Sequence, residues 1–191
     1  MRHAACAPGE RILLGHALDP PLDARGLAQA RELAHALKPE TPQRVETSPR
    51  RRTRQTARAI ASLANCPLRV APELDELDFG DWGGCAFADL EEDAQWRRWN
   101  RERGAARTPA GVTIASVQKS LAGYFADLAA VCAGCTLVLV THAEVIRAAL
   151  LLALHADPDG WQHYEIAPAS VTRLAMRAGL LVPDSLDEAA A

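Results

Sequence analysis

The 191-residue chain has no apolar run long enough to cross a membrane. Leu137 to Val140 falls far short of the ~20 residues a spanning helix needs, and Ala148 to Leu154 belongs to an amphipathic pattern. No membrane partner is therefore expected. A secretion-signal layout is also missing, because Arg2 and His3 run into Ala4, Ala5 and Cys6 without an apolar core. There is no cationic excess. The formal net charge is −3 and the sequence pI about 6.1, which argues against a general nucleic-acid binder. Cysteine is sparse, odd in number at five and irregularly spaced, which excludes a disulfide framework and places the expected location in a reducing cytoplasm. Internal repeats and low-complexity linkers are absent too. What remains, 49% hydrophobic and 24% charged residues, is the composition of an ordinary globular protein. The length suits one well-cored domain and is short for two.

Hydrophobic periodicity organises the rest. After a loop from Pro8 to Pro21, Asp23 is placed to cap a helix with a buried stripe of Leu27, Ala30, Leu33, Ala34 and Leu37. Lys38-Pro39 and Thr41-Pro42 stop it. A strand is expected around Arg44 to Thr47, then a helix from about Thr53 to Ala64 burying Thr56, Ala57, Ile60 and Ala64. Leu68 to Val70 reads as another strand, and Glu73 to Trp82 as a loop or short edge. The polar segment from Asp89 to Arg107, with Trp96 and Trp99, reads as a helical insertion over one edge. Ile114, Val117, Leu121, Phe125, Leu128 and Val131 mark a long helix, ended by Gly134. Thr136 to Thr141 is continuously apolar and β-branched, as in a strand covered on both faces. A helix from Ala143 to His155 follows, then two β-like pieces, Gln162 to Ile166 and Ser170 to Met176. Strands alternating with helices predict an α/β fold, a three-layer α/β/α sandwich on a mostly parallel central sheet. The expected domain covers residues 1–178, with 179–191 a frayed tail.

Four segments carry residues suited to chemistry: Arg2-His3, Ser48-Pro49-Arg50-Arg51-Arg52, the acidic stretch Glu73 to Gly80, and His142 at the end of the apolar run. A phosphoryl group brings about two negative charges and needs positioned cations around its oxygens. Arginine binds such oxygens with a planar fork that stays charged. A neutral imidazole is a competent nucleophile near pH 7. His142 stands between a buried strand and the next helix, where anions bind in α/β sheets. Each residue also has a bland reading. Arg2-His3 alone is a plain terminus, His142 alone a satisfied core histidine, and Arg50 to Arg58 a solvated helix face. Cys132-x-x-Cys135 has no second pair or histidine cluster and reads as a helix-ending turn rather than a redox or zinc motif. His35, His155 and His163 read as ordinary residues. Glu73, Asp75, Glu76 and Asp78 are not separated by chemistry alone.

Taken in order, the motifs resemble those of the histidine phosphatase superfamily, also called phosphoglycerate-mutase-like. Arg2-His3-Ala4 resembles its Arg-His-Gly. Asp19-Pro20-Pro21-Leu22 with Gly26 and Gln29-Ala30 resembles Asp-x-Pro-Leu, Gly, Gln-Ala. Ser48-Pro49-Arg50-Arg51-Arg52 with Gln55-Thr56-Ala57 resembles Ser-Pro-x-x-Arg and Gln-Thr-Ala. Leu74-Asp75-Glu76 with Phe79-Gly80-Asp81-Trp82 resembles Leu-x-Glu and Phe-Gly-x-Trp. Val140-Thr141-His142-Ala143 with Val145-Ile146-Arg147 resembles Val-Ser-His-Gly and Val-Ile-Arg, and Ala167 to Val171 resembles the last strand. The likeness covers residues 1 to about 176. It implies that His3 is the phosphorylated nucleophile, that Arg2 and Arg52 bind phosphate with a protonated His142, and that Glu76 is the acid and base. His16 lies in the segment that rims the family's pocket and becomes a candidate substrate contact. No metal and no cofactor are implied.

The resemblance implies a metal-independent phosphomonoesterase acting on a small phosphorylated metabolite through phosphohistidine, nearest to α-ribazole phosphatases and general small-molecule phosphatases. Cys6 and Gly9 stand where mutases of the family carry Thr and Asn, which lowers the alternative of a phosphoglycerate-type phosphomutase. Ala4 and Ala143 replace the glycine after each histidine and are expected to crowd the phosphate, and Gly111-Val112-Thr113 replaces Gly-Glu-Ser. These departures keep open a catalytically impaired member that acts as a binding protein. In the family about five apolar residues precede Arg-His. Here only Met1 does, so a truncated first strand, a frayed His3, a weakly stable and nearly inactive 191-residue form and an upstream start are expected.

Overall fold

In the computed structural model, which describes residues 1–9 and 11–185, Asp23 accepts a hydrogen bond from the Gly26 amide and opens α1 (Ala24–Leu37). The buried stripe is Gly26, Ala30, Leu33, Ala34 and Leu37, while Leu27 is 42% exposed, contrary to expectation. The cause is Gly26. A Cβ there would come within 1.9 Å of the Ala5 carbonyl oxygen, so only glycine lets α1 lie against the strand-to-loop segment that follows His3.

Three parallel strands form the sheet: β1 (Arg44–Thr47), β2 (Leu68–Val70) and β3 (Leu137–Val140), in the order β2-β1-β3. β1 pairs Val45 with Leu68 on one side and Val138 on the other. β2 is exposed throughout, as a short edge with Arg69 at its centre can be. On one face α1 and α2 (Arg51–Ala64) cover Val45, Val138 and Val140 with Leu33, Leu37, Ala57 and Ile60. Ala61, rather than Ala64, completes the buried row of α2. The opposite face carries α5 (Ile114–Val131) and α6 (Ala143–Leu154), with Tyr124 of α5 beside Leu74 and Leu139. Val131, expected on the buried row of α5, is 73% exposed because the helix ends there. The result is the three-layer α/β/α arrangement.

Residues 1–3 extend the sheet beyond β3. The Met1 amine donates to the Leu139 carbonyl at 2.8 Å, and the Thr141 amide donates to the Met1 carbonyl. The His3 amide donates to the Thr141 carbonyl at 3.0 Å, and on the other side the Ala169 amide donates to the His3 carbonyl at 3.1 Å. Met1 and His3 are both buried. The expected fraying of His3 is therefore absent, since its backbone is bonded on both sides.

The insertion folds as α3 (Phe87–Leu90) and α4 (Ala94–Arg101), the latter capped by Asp93. Trp96 and the fully buried Trp99 join Trp82 in a core with Ile114, Leu121, Val145 and Ala148, so the insertion is packed into the domain rather than laid over it. Gln162 to Ile166 is not a strand. Asp157 and Pro158 start a 3₁₀ turn (Pro158–His163) instead, with the Asp157 side chain accepting from the Asp159 amide. Residues 180–185 are not a frayed tail either: β5 (Leu180–Ser185) pairs antiparallel with β4 (Arg173–Arg177). The rest of the expected tail, 186–191, lies outside the described residues. No helix among the described residues is long and apolar enough to cross a membrane.

Candidate active site

The carboxyl ends of the strands bring four segments together: residues 2–5, the β1–α2 turn, the β2 loop and the β3–α6 turn. In parallel sheets this edge collects ligands, because every strand there hands over to a loop or helix start. The motif polar residues away from the centre serve to hold it. The Ala4 amide donates to Thr56 Oγ1, the Ala5 amide to Gln29 Oε1, and the Leu22 amide to Gln55 Oε1. These bonds tie the segment after His3 to α1 and α2.

His3 is 6% exposed, and its Nδ1 lies 2.8 Å from the Ala4 carbonyl oxygen. A carbonyl only accepts, so Nδ1 carries the proton and Nε2 keeps a free lone pair. Burial first, then Arg52 and Arg2, brings the His3 pKa from 6.5 to about 3, even though the Ala4 bond pulls the other way. The ring is neutral at any ordinary pH. His142 lies edge-on to it with ring centroids 5.3 Å apart.

Arg52 is 1% exposed. Its guanidinium donates to the carbonyls of Leu18 at 3.2 Å and Gly15 at 3.3 Å, lies 3.3 Å from His142 Nδ1, and has Asp19 at 3.6 Å. Arg2 donates to the Ile166 carbonyl at 2.6 Å. The Nε of each guanidinium is buried and has no hydrogen-bond partner among the described residues. Leaving a buried donor unpaired costs ~1–3 kcal/mol, a penalty that an anion between the two would relieve.

Glu76 sits beside this group, with Oε2 3.6 Å from His142 Nδ1. Burial raises its pKa from 4.5 to about 7, with Glu144 adding to the rise while Arg52 and Arg2 oppose it. The neighbouring carboxylates differ. Asp75 is gripped by Arg50 through bonds of 2.7 and 2.6 Å, whereas Glu73 and Asp78 face solvent. His142 is fully buried. Burial, then Arg52, keeps its pKa well below the usual value, so in the unliganded site it is neutral. His16 is not among the converging cations. Its Nε2 bonds the Glu76 carbonyl at 2.6 Å and lies 3.5 Å from Asp75, so it buttresses the Glu76 loop.

The alanines after the two histidines pack against apolar side chains. Ala4 is buried in a cluster with Leu22 and Ala30, and Ala143 packs at the edge of one formed by Ile146, Leu150 and Ile166. A large cavity of about 690 Å³ between α5, α6 and the β4–β5 hairpin is lined by none of His3, Arg52, Glu76 or His142.

One residue beside the site, Arg103, left no periodic or motif signal. Arg103, 3% exposed and 3.7 Å over the Trp161 ring, pairs with Glu144, which also pairs with Arg147. Removing the shared carboxylate would strand two cations, one of them fully enclosed. Glu144→Gln is therefore expected to lower unfolding free energy by about 3–5 kcal/mol in urea titration. A loss below about 1 kcal/mol would mean that water reaches the pair.

An oriented neutral imidazole beside two guanidiniums that each keep an unpaired buried Nε–H, at the carboxyl edge of a parallel sheet, defines an α/β site built to hold an oxyanion. Residues 1–186 match the family model of the histidine phosphatase superfamily (branch 1). The chain is 31% identical over 142 residues to phosphoserine phosphatase 1 of Hydrogenobacter thermophilus, covering 73% of this chain and 67% of that one. It is also 31% identical over 154 residues to the adenosylcobalamin/alpha-ribazole phosphatase of Salmonella typhimurium, 80% and 76% of the two chains. A histidine-to-alanine variant of the Entamoeba histolytica phosphoserine phosphatase, solved with phosphoserine, superposes with a TM-score of 0.87 at 26% identity over 98% of this chain and 94% of that one. This chain belongs to the histidine phosphatase superfamily. It is a phosphatase-class hydrolase.

Proposed function

We propose that the protein is a metal-independent phosphomonoesterase that carries the phosphoryl group of a small metabolite on His3. The observation that carries this reading is the free Nε2 lone pair of His3, aimed by the Nδ1–Ala4 bond and kept unprotonated by burial among Arg2, Arg52 and His142. The lone pair attacks phosphorus while the ester P–O bond breaks. The Glu76 carboxyl gives its proton to the leaving oxygen. Glu76, now a carboxylate, takes a proton from water. The resulting hydroxide attacks phosphorus, the P–N bond breaks, and phosphate leaves with His3 neutral again. Arg2 and Arg52 supply their unpaired N–H groups to the oxygens throughout, and preorganised donors of this kind act strongly where water is excluded. An arriving phosphate ester monoanion passes its proton to His142 and becomes the dianion that is attacked.

Similar proteins named for phosphoserine, α-ribazole phosphate and glucosyl-3-phosphoglycerate support a small phosphorylated metabolite as substrate. The partner is that substrate rather than nucleic acid or membrane, and five free cysteines suit a cytoplasmic setting. Phosphate release from a panel of phosphomonoesters tests the reading. Activity is expected to survive excess EDTA and to be blocked by vanadate. Loss in EDTA with rescue by magnesium would contradict it, and turnover without net phosphate release would point to a mutase.

A further inference from the structure

The two ring nitrogens of His142 face different settings. Nδ1 lies 3.3 Å from an Arg52 nitrogen, which can only donate, so Nδ1 is the acceptor and the ring proton sits on Nε2. Nε2 is 2.8 Å from Ser48 Oγ and donates to it. Ser48 in turn has one proton to give, and Asp75 Oδ1 stands 3.1 Å away to accept it. Asp75 cannot rotate out of this role. Arg50 holds both of its oxygens, the Glu76 amide donates to Oδ1 at 2.9 Å, and His16 flanks Oδ2. Burial pushes the Asp75 carboxyl up, but the bonds from Arg50 and the Glu76 amide together bring it below the usual range, so it is ionised. All donors and acceptors in this chain agree with one proton assignment, and the reverse assignment would set Nδ1–H against Arg52.

We propose that Ser48 and Asp75 are positioning residues for His142, a carboxylate relayed through a hydroxyl that fixes its tautomer at rest and stabilises its imidazolium when substrate is bound. This rests on the reading that His142 Nδ1 meets the phosphoryl group. A phosphate ester monoanion enters and passes its proton to Nδ1, leaving a dianion against an imidazolium. The groups facing that imidazolium are Arg52, Arg50, Arg2 and His3, which oppose the new charge, and Glu76 and Asp75. With Glu76 protonated, Asp75 is the one carboxylate among these that favours it, and Ser48 brings that influence to the ring.

Ser48→Ala, Asp75→Asn and the double variant, each confirmed folded by its thermal transition, would be assayed with p-nitrophenyl phosphate, whose leaving group needs no general acid. Each single variant is expected to lose roughly 10- to 100-fold in kcat, as outer-sphere partners of a functional histidine do. The alkaline limb of kcat should move to lower pH, because an imidazolium without its carboxylate gives up its proton sooner. The double variant should lose no more than the worse single, since a relay is broken once by either change. Unchanged kcat and pH profile, or losses that multiply in the double variant, would overturn the relay. Nitrogen-15 histidine spectra of the unaltered protein give a second measurement that no folding failure can spoil: His142 must show its proton on Nε2, and an Nδ1–H signal would equally overturn the proposal. His142→Ala separates this from the parent reading. Full activity in that variant would sink the role of His142 itself, whereas a dead His142 variant beside normal Ser48 and Asp75 variants would sink the relay alone.

Discussion

His3→Ala is expected to lose turnover by a factor on the order of 10⁴ or more and to lose all covalent label from substrate, the pattern seen when a nucleophile is removed. The unaltered enzyme, mixed with labelled substrate and quenched without acid, should yield label on the peptide containing His3. Two other nucleophilic atoms lie near enough to compete. Cys6 is buried, and burial raises its thiol pKa despite Arg52 and Arg2, which leaves little thiolate. Ser48 has its hydroxyl proton committed to Asp75 and its oxygen to His142. Label on either would overturn the assignment. The same burial gives His3 a stability signature. Its pKa falls from 6.5 to about 3 on folding, so the unfolded chain binds the extra proton between those values. The stability contributed by the neutral ring is fully present above pH 6.5 and is lost as pH falls through the window toward 3. His3→Ala should flatten the acid side of the stability profile.

What could be read from the chain was local or periodic. Asp23 before an apolar stripe, the β-branched Leu137 to Val140 run and the Ser48-Pro49 break place α1, β3 and the β1–α2 turn within a residue or two of where they form. The motif order also named the residues that converge at the strand ends. What could not be read depends on contacts between distant segments. Leu27 differs from Gly26 by one helical step, and only the Ala5 carbonyl decides which faces inward. Arg103 gives no periodic signal, because its partner Glu144 is forty-one residues away on α6. The four carboxylates from Glu73 to Asp78 look alike as letters. Folding separates them: one is clamped by Arg50, two are left in water, and Glu76 alone is enclosed with its pKa raised.

Glu76→Gln follows from that separation and should divide substrates by leaving group. An alkyl phosphate expels a strongly basic alkoxide that needs a proton, and general acid catalysis there contributes ~10²–10⁴-fold. Loss of that size is expected for a serine or sugar phosphate. p-Nitrophenolate leaves without help, so phosphorylation of His3 should stay fast while hydrolysis, which needs Glu76 as base, stalls. Stopped-flow traces should then show a burst of p-nitrophenolate near one equivalent, followed by slow release. In the unaltered enzyme, the rate with the alkyl phosphate should decline as pH rises through about 7, because the acid form is consumed. The folding signature runs the same way. Glu76 keeps a proton in the folded state that the unfolded chain sheds above pH 4.5, so stability falls as pH rises from 4.5 to about 7 and then levels. Glutamine cannot ionise, and the variant should lack this slope and gain stability relative to the parent above pH 7. Equal losses for both substrates, with no burst, would take the acid and base roles away from Glu76. Asp75 could not inherit them while Arg50 keeps it ionised.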